Sequence, residues 1–160
     1  SPATASATGL RFWRDTGMTG ATTLTYGTLG YEFDWEQAAY ANSYPLSRVT
    51  LSDTTVGEKN HMMSLYRAPS GALVFGAGTV QWSWGLDDQH DNISGSPSPA
   101  PNADMQQATV NLLADMGAQP ATLQSGLVAA TASTDTTSPV SSISPGSPMG
   151  LQCTTMNEPA

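Results

Sequence analysis

The chain has 160 residues, 11% of them charged, with five basic against thirteen acidic side chains and a formal charge of −8. That length supports one domain with a real core. The acidic balance repels phosphate backbones and argues against nucleic-acid binding, and no apolar run approaches the ~18 residues of a membrane span.

In chain order, residues 1–9 are small and polar and read as a lead-in, with neither the basic nor the apolar region of a signal peptide. Residues 10–124 carry nearly all the aromatics and all the clear periodicity. "LRFWR" reads as a short aromatic strand. "TLTYGTLGYEFDW" ends in alternation, with Tyr31, Phe33 and Trp35 on one face and Glu32 and Asp34 on the other. "LSRVTLSD" and "HMMSLYRA" are strand candidates. "APSG", Ala68 to Gly71, reads as a tight turn joining "HMMSLYR" to "ALVFGAG" in a hairpin. A polar loop with three prolines, "DDQHDNISGSPSPAPNAD", leads to a helix predicted over 105–116. Asp104 is its expected cap, with Gln107 completing a capping box. Met105, Ala108, Thr109, Leu112, Leu113 and Met116 share one face, and Gly117 stops the helix. Residues 125–160 read as a linker or disordered tail: between Thr131 and Pro148, ten of eighteen residues are Ser or Thr and three are Pro. The sole cysteine, Cys153, lies in that tail, so neither an internal disulfide nor a cysteine-based zinc site can form.

Candidate chemistry sits in three places. Glu32 and Asp34, two apart on a strand, would project ~6.8 Å from each other on one side, either as paired carboxylates dividing acid and base roles or as a solvated strand face. The stretch "GALVFGAGTVQWSWGL" ends a strand in Gly76, Ala77 and Gly78, followed by Trp82 and Trp84. Small residues there let a ligand or a second backbone come close; the tryptophans either contact that ligand or pack the strand end into the core. The pattern lacks the third glycine of a dinucleotide fingerprint. His90, ringed by Asp87, Asp88 and Asp91, offers carboxylate oxygens to a cation but not at EF-hand spacing. His61 opens a strand and is expected at the surface or half-buried. Asn92 begins an "NIS" glycosylation triplet, and no G-x-S-x-G nucleophile is present.

Two long segments, "MMSLYRAPSGALVFGAGTVQWSWGLDDQHD" and "MQQATVNLLADMGAQPATLQSGLVAATASTDTTSPV", together with "RFWRDT" and "YGTLGYEFDW", resemble the C-terminal domain family of the N,N-dimethylformamidase large (beta) subunit. Some members of that family are embedded in large secreted bacterial proteins with immunoglobulin-like modules. The likeness spans about residues 10–140 and is looser from Glu36 to Asn60, where "EQAAYANSYPLSR" departs from the acidic run of the family. It implies an α/β, partial glutamine-amidotransferase-like (flavodoxin-like) domain with β-hairpins and one C-terminal helix, of which this chain is the second half. The family's first half carries Gly-His-Asp-Glu-Tyr-Trp-like and Gly-Asn-Glu-like motifs, and neither occurs here. The resemblance implies iron in the full-length protein, with ligands outside this chain, and makes Glu32 the counterpart of a functional glutamate. Asp34, Gly76, Gly78, Trp82 and Trp84 would then shape the pocket.

No side chain at Gly76–Gly78 can take a proton, so the strand end cannot supply the His-x-Glu of amidotransferases, and Cys153 lies too far along the chain for a Cys-His-Glu triad. Three readings follow: part of a metal-dependent hydrolase of amide C–N bonds, inactive alone; a non-catalytic module binding glycans or a surface; or a structural connector before immunoglobulin-like repeats. All three expect an extracellular or cell-surface parent whose remaining domain and immunoglobulin-like modules are the partners.

Overall fold

The computed structural model describes residues 8–20, 22–25, 27–30, 32–35, 43–55, 57–90, 100–135, 142–144 and 152–154. Three strands, Tyr44–Asp53 (β1), Gly57–Arg67 (β2) and Leu73–Gly76 (β3), form an antiparallel sheet in the order β1-β2-β3. The expected turn at Ala68–Gly71 closes the second hairpin. Gly71 donates its N–H to the Ala68 carbonyl at 2.8 Å and holds a φ of +87°, which a side chain would resist. In β1 the pairing slips between Pro45 and Ser47, so Leu46 is the extra residue of a bulge. Both Leu46 and Ser47 are buried. Indole Nε1 of Trp13 donates to the Leu46 carbonyl at 3.1 Å, satisfying a group the bulge takes out of the ladder.

Alternation gives the sheet two different faces. Ser47, His61, Met63, Leu65 and Phe75 point to the core. Met62, Ser64, Tyr66, Val74 and Gly76 point the other way and line an open cleft. The core joins Phe12, Trp13, Met18, Leu24, Leu46 and Met63 to Met105, Ala108 and Leu112 of the helix. "LRFWR" is not a strand: Arg11–Trp13 is a 3-10 helix. A strand sends neighbouring side chains to opposite faces, whereas this turn buries Phe12 and Trp13 side by side, their rings edge to face at 4.6 Å. A second 3-10 helix, Val80–Gly85, follows the sheet, started by the Thr79 hydroxyl accepting from the Gln81 N–H at 3.1 Å.

The helix runs Ala103–Asp115 (α1). Its cap is Asn102, whose Oδ1 accepts from the Met105 N–H at 3.0 Å, and not Asp104. Asp104 instead accepts from the Gly17 N–H at 2.7 Å, and Gln107 turns inward to grip Val128, accepting from its N–H at 2.8 Å and donating to its carbonyl at 2.9 Å. The C-terminal signal holds: Gly117, at φ +77°, donates to Ala114 while Ala118 donates to Leu113, a Schellman motif. Leu113 and Met116, expected on the buried face, are 36% and 41% exposed. The inward arc is shifted, and Val110 and Ala114 bury against Ala130, Leu123 and Leu127.

Leu127 to Thr131, placed in the tail by composition, are therefore docked on the helix. The Ser/Thr/Pro-rich run begins only at Thr131, after these apolar residues. Arg11 and Arg14 both donate to the Thr131 carbonyl, at 2.6 and 3.1 Å, and both pair with Asp115 near 3 Å. The two guanidiniums offset a carboxylate at a helix C-terminus, where the helix dipole disfavours it. Within the tail, Ser142–Ser144 (β4) pairs antiparallel with Gln152–Thr154 (β5).

The described architecture is thus mixed, a three-stranded antiparallel sheet against one helix. A parallel sheet of the flavodoxin-like kind is absent among the described residues.

Candidate functional site

The segment Glu32–Trp35 lies across the end of the sheet, but not as the alternating strand the sequence suggests. Phe33 bridges to Thr79 and Trp35 to His61, both as isolated antiparallel bridges, and the Asp34 N–H donates to the Gly78 carbonyl at 2.7 Å. Glu32 has a φ of +57°. This left-handed kink breaks the expected alternation, so Glu32 and Asp34 are not two rungs of one strand face. Tyr31 lies outside the described residues. Trp35, expected on a buried face, is half-exposed, and the Lys59 ammonium sits 5.5 Å from its ring centre.

The kinked segment and the small strand end enclose a recess of about 420 Å³ lined by Glu32, Phe33, Asp34, Gly76, Ala77, Gly78, Thr79 and Val80. Asp34, Gly76 and Gly78 also belong to the adjoining cleft of about 540 Å³ on the open sheet face, with Trp35, Met62, Ser64, Tyr66 and Val74. Four sequence candidates, Glu32, Asp34, Gly76 and Gly78, therefore meet around one concavity, and both carboxylate residues are solvent-exposed. The tryptophans lie elsewhere. Trp82 packs on Phe75 and Phe12 and donates Nε1 to the Thr109 hydroxyl at 3.3 Å. Trp84 stacks flat on His90 at 4.6 Å. In the His90 loop, Asp87 and Asp88 both accept from Gln89. Asp91 and Asn92 lie outside the described residues.

His61 is the residue the sequence reading undervalued. It is only 4% exposed, and neither ring nitrogen makes a hydrogen bond of good geometry among the described residues, although the Ala77 and Gly78 backbone stands close enough to interact with the ring. The available signal was its register: two and four residues before Met63 and Leu65, on the inward face of β2. Burial lowers its pKa from the ordinary 6.5, against the opposing pull of the Ala77 and Gly78 backbone and of the Asp34 charge. The unfolded chain therefore takes up the imidazole proton first as pH falls. Stability should be level above 6.5 and should decline as pH drops below it toward the folded value. A series of urea midpoints across that range should show the decline in the wild type, and His61→Leu should flatten it. An equal slope in both proteins would assign the effect to other groups.

The fold and the concavity together define a small mixed α/β domain with a carboxylate-bearing recess at a glycine-lined strand end. A family model described as N,N-dimethylformamidase beta subunit-like, C-terminal, matches residues 1–94, and the chain belongs to that family. The matched span contains the three-stranded sheet, the two 3-10 helices among the described residues and the whole recess, and stops short of α1. No curated protein and no solved structure matches the chain.

Proposed function

We propose that this chain is the C-terminal part of a domain that hydrolyses the C–N bond of small linear amides, within a larger secreted parent protein, and that Glu32 is its reacting carboxylate. One observation supports this most directly: Glu32, a residue type that seldom adopts such geometry, holds a left-handed backbone at the rim of the recess. That conformation costs about 1–2 kcal/mol in a non-glycine residue, and strain of this kind concentrates at functional sites. The resemblance to the amidase family points to the same residue.

In this reading the Glu32 carboxylate accepts a proton from the water that attacks the amide carbonyl and returns it to the departing amine. Gly76 and Gly78 leave room for the substrate beside it, and the Asp34–Gly78 hydrogen bond fixes the segment that carries it. Among the described residues no three His, Cys, Asp or Glu side chains converge on a metal site. Iron, which the family resemblance implies, would be held by residues of the parent outside this chain, and the rest of an amidotransferase-like sheet would lie there too.

In the full-length parent, Glu32→Gln should lower turnover of a small formamide by about 10²-fold or more, the scale of losing a positioned base. Glu32→Gly should be as inactive yet more stable, by about 1 kcal/mol, because glycine relieves the left-handed strain. Unchanged turnover in a folded Glu32→Gln protein would remove Glu32 from the mechanism.

The open face of the sheet favours a second reading, a non-catalytic module that binds glycans or a cell surface ahead of immunoglobulin-like repeats. Trp35 and Tyr66 line the cleft there and are 40% and 42% exposed, and flat aromatic faces suit sugar rings. Under that reading Tyr66→Ala would abolish polysaccharide retention while Glu32→Gln would leave it intact.

A further inference from the structure

Behind the recess lies a smaller cavity of about 20 Å³, whose lining includes Thr28, Ser47, His61, Met63, Ala77 and Thr79. One water requires ~10–15 Å³ and two to four polar partners, so the space suits a single molecule. Its walls hold the polar groups such a molecule needs. Ser47 is 1% exposed, and its Oγ has no hydrogen-bond partner among the described residues; the His61 ring nitrogens form no hydrogen bond of good geometry there, with the Ala77 and Gly78 backbone beside the ring, so the ring keeps bonding capacity for a water. The Thr79 hydroxyl accepts from the Gly30 and Gln81 N–H groups, which leaves its own proton available. Buried polar atoms are nearly always satisfied, because each orphan carries a desolvation cost.

The register places these groups at bridging distance. Ser47 pairs with Met63 and Val49 with His61, so Ser47 and His61 are diagonal neighbours on one sheet face. Diagonal neighbours lie ~7–8 Å apart at the backbone; the Ser47 hydroxyl makes no direct hydrogen bond to the ring, and two hydrogen bonds through one water can span such a separation. The bulge at Leu46 creates this arrangement, since it turns Ser47 inward next to Leu46. We propose that the cavity is a binding site for one structural water, held between the Ser47 hydroxyl and a ring nitrogen of His61. Neutral imidazole suits this role, with one nitrogen accepting and the other donating. Ala77 and Thr79 line both this cavity and the outer recess. The water would therefore back the wall of the candidate site, independently of what that site does.

The sign of one substitution separates a wet cavity from a dry one. If the water bridges, Ser47→Ala removes one of its partners and should raise the unfolding equilibrium constant about five-fold, the usual worth of one net hydrogen bond. If the cavity is dry, Ser47→Ala deletes an orphaned hydroxyl, and stability should rise or stay level; either result overturns the proposal. A second measurement does not depend on the variant folding. Magnetisation transfer from water to the Met63 methyl in the wild-type chain is expected, and its absence refutes the bound water. Ser47→Val, which sends a methyl into the cavity, should abolish that transfer.

Discussion

Asn111→Ala should destabilise the chain by about 3 kcal/mol, or roughly 150-fold in the folding equilibrium. Asn111 is completely buried in the middle of the helix, and its amide ties the helix to the first 3-10 helix and its cap. Its Nδ2 donates to the Phe12 carbonyl at 3.0 Å and to the Arg14 carbonyl at 2.6 Å, and its Oδ1 accepts from Gln107 Nε2 at 3.0 Å. Both carbonyls belong to the 3-10 helix and its cap, where no strand partner exists to take over. Truncation would orphan two acceptors and one donor in the core, and an unsatisfied buried group costs about 1–3 kcal/mol. Asn111→Leu should fare no better despite filling the space. Asn111→Asp should be worse still, since it sets a carboxylate against two carbonyl oxygens. A denaturant midpoint shifted at constant slope is the readout; a loss under about 1 kcal/mol would mean that water replaces the amide without penalty.

Gly78→Ala should cost about 3 kcal/mol or more, and its damage should reach the recess. Two effects add. Gly78 holds a φ of +67°, and a Cβ there would stand 2.8 Å from the Met62 carbonyl oxygen and 2.9 Å from His61 Nε2. Neither neighbour can retreat, one being sheet backbone and the other a packed ring. The Gly78 carbonyl also accepts the Asp34 N–H, so any displacement is passed to the segment bearing Glu32. Gly57 and Gly71 provide the control. Each has a positive φ but nothing within 4 Å of an added Cβ, so alanine there should cost only the ~1 kcal/mol of the left-handed conformation. Equal losses at Gly57 and Gly78 would show that crowding at the strand end contributes nothing.

The parts of this fold governed by local chemistry were readable from the sequence. The Pro-Ser-Gly turn, both long strands and the glycine stop of the helix follow from residues within a few positions of each other. Reading failed where a distant partner decides. Asp104 and Asn102 are both good caps, and only Gly17, far away in the chain, shows why Asp104 is otherwise engaged. Gln107 looked like half of a capping box because nothing local announced that Val128 would need it. "LRFWR" has strand composition, but the core takes Phe12 and Trp13 on the same side, which a strand cannot supply. At the site, the meeting of Glu32 and Asp34 with Gly76 and Gly78 was legible as a set of residues. The kink at Glu32 and the bulge at Leu46 were not, because each is imposed by packing against another segment.

The grip of Arg11 and Arg14 on the Thr131 carbonyl brings together two points of the backbone 120 positions apart. Among the described residues, the segments that begin and end the packed core therefore meet at one spot, like a loop drawn shut by a cord. A unit shaped this way can be set into a turn of a host protein, or repeated along a chain, without prising its host apart. It can also be re-cut: joining the two neighbouring strands of chain by a short bridge and opening the polypeptide in the exposed hairpin at Ser70 should return the same fold with its order of segments changed.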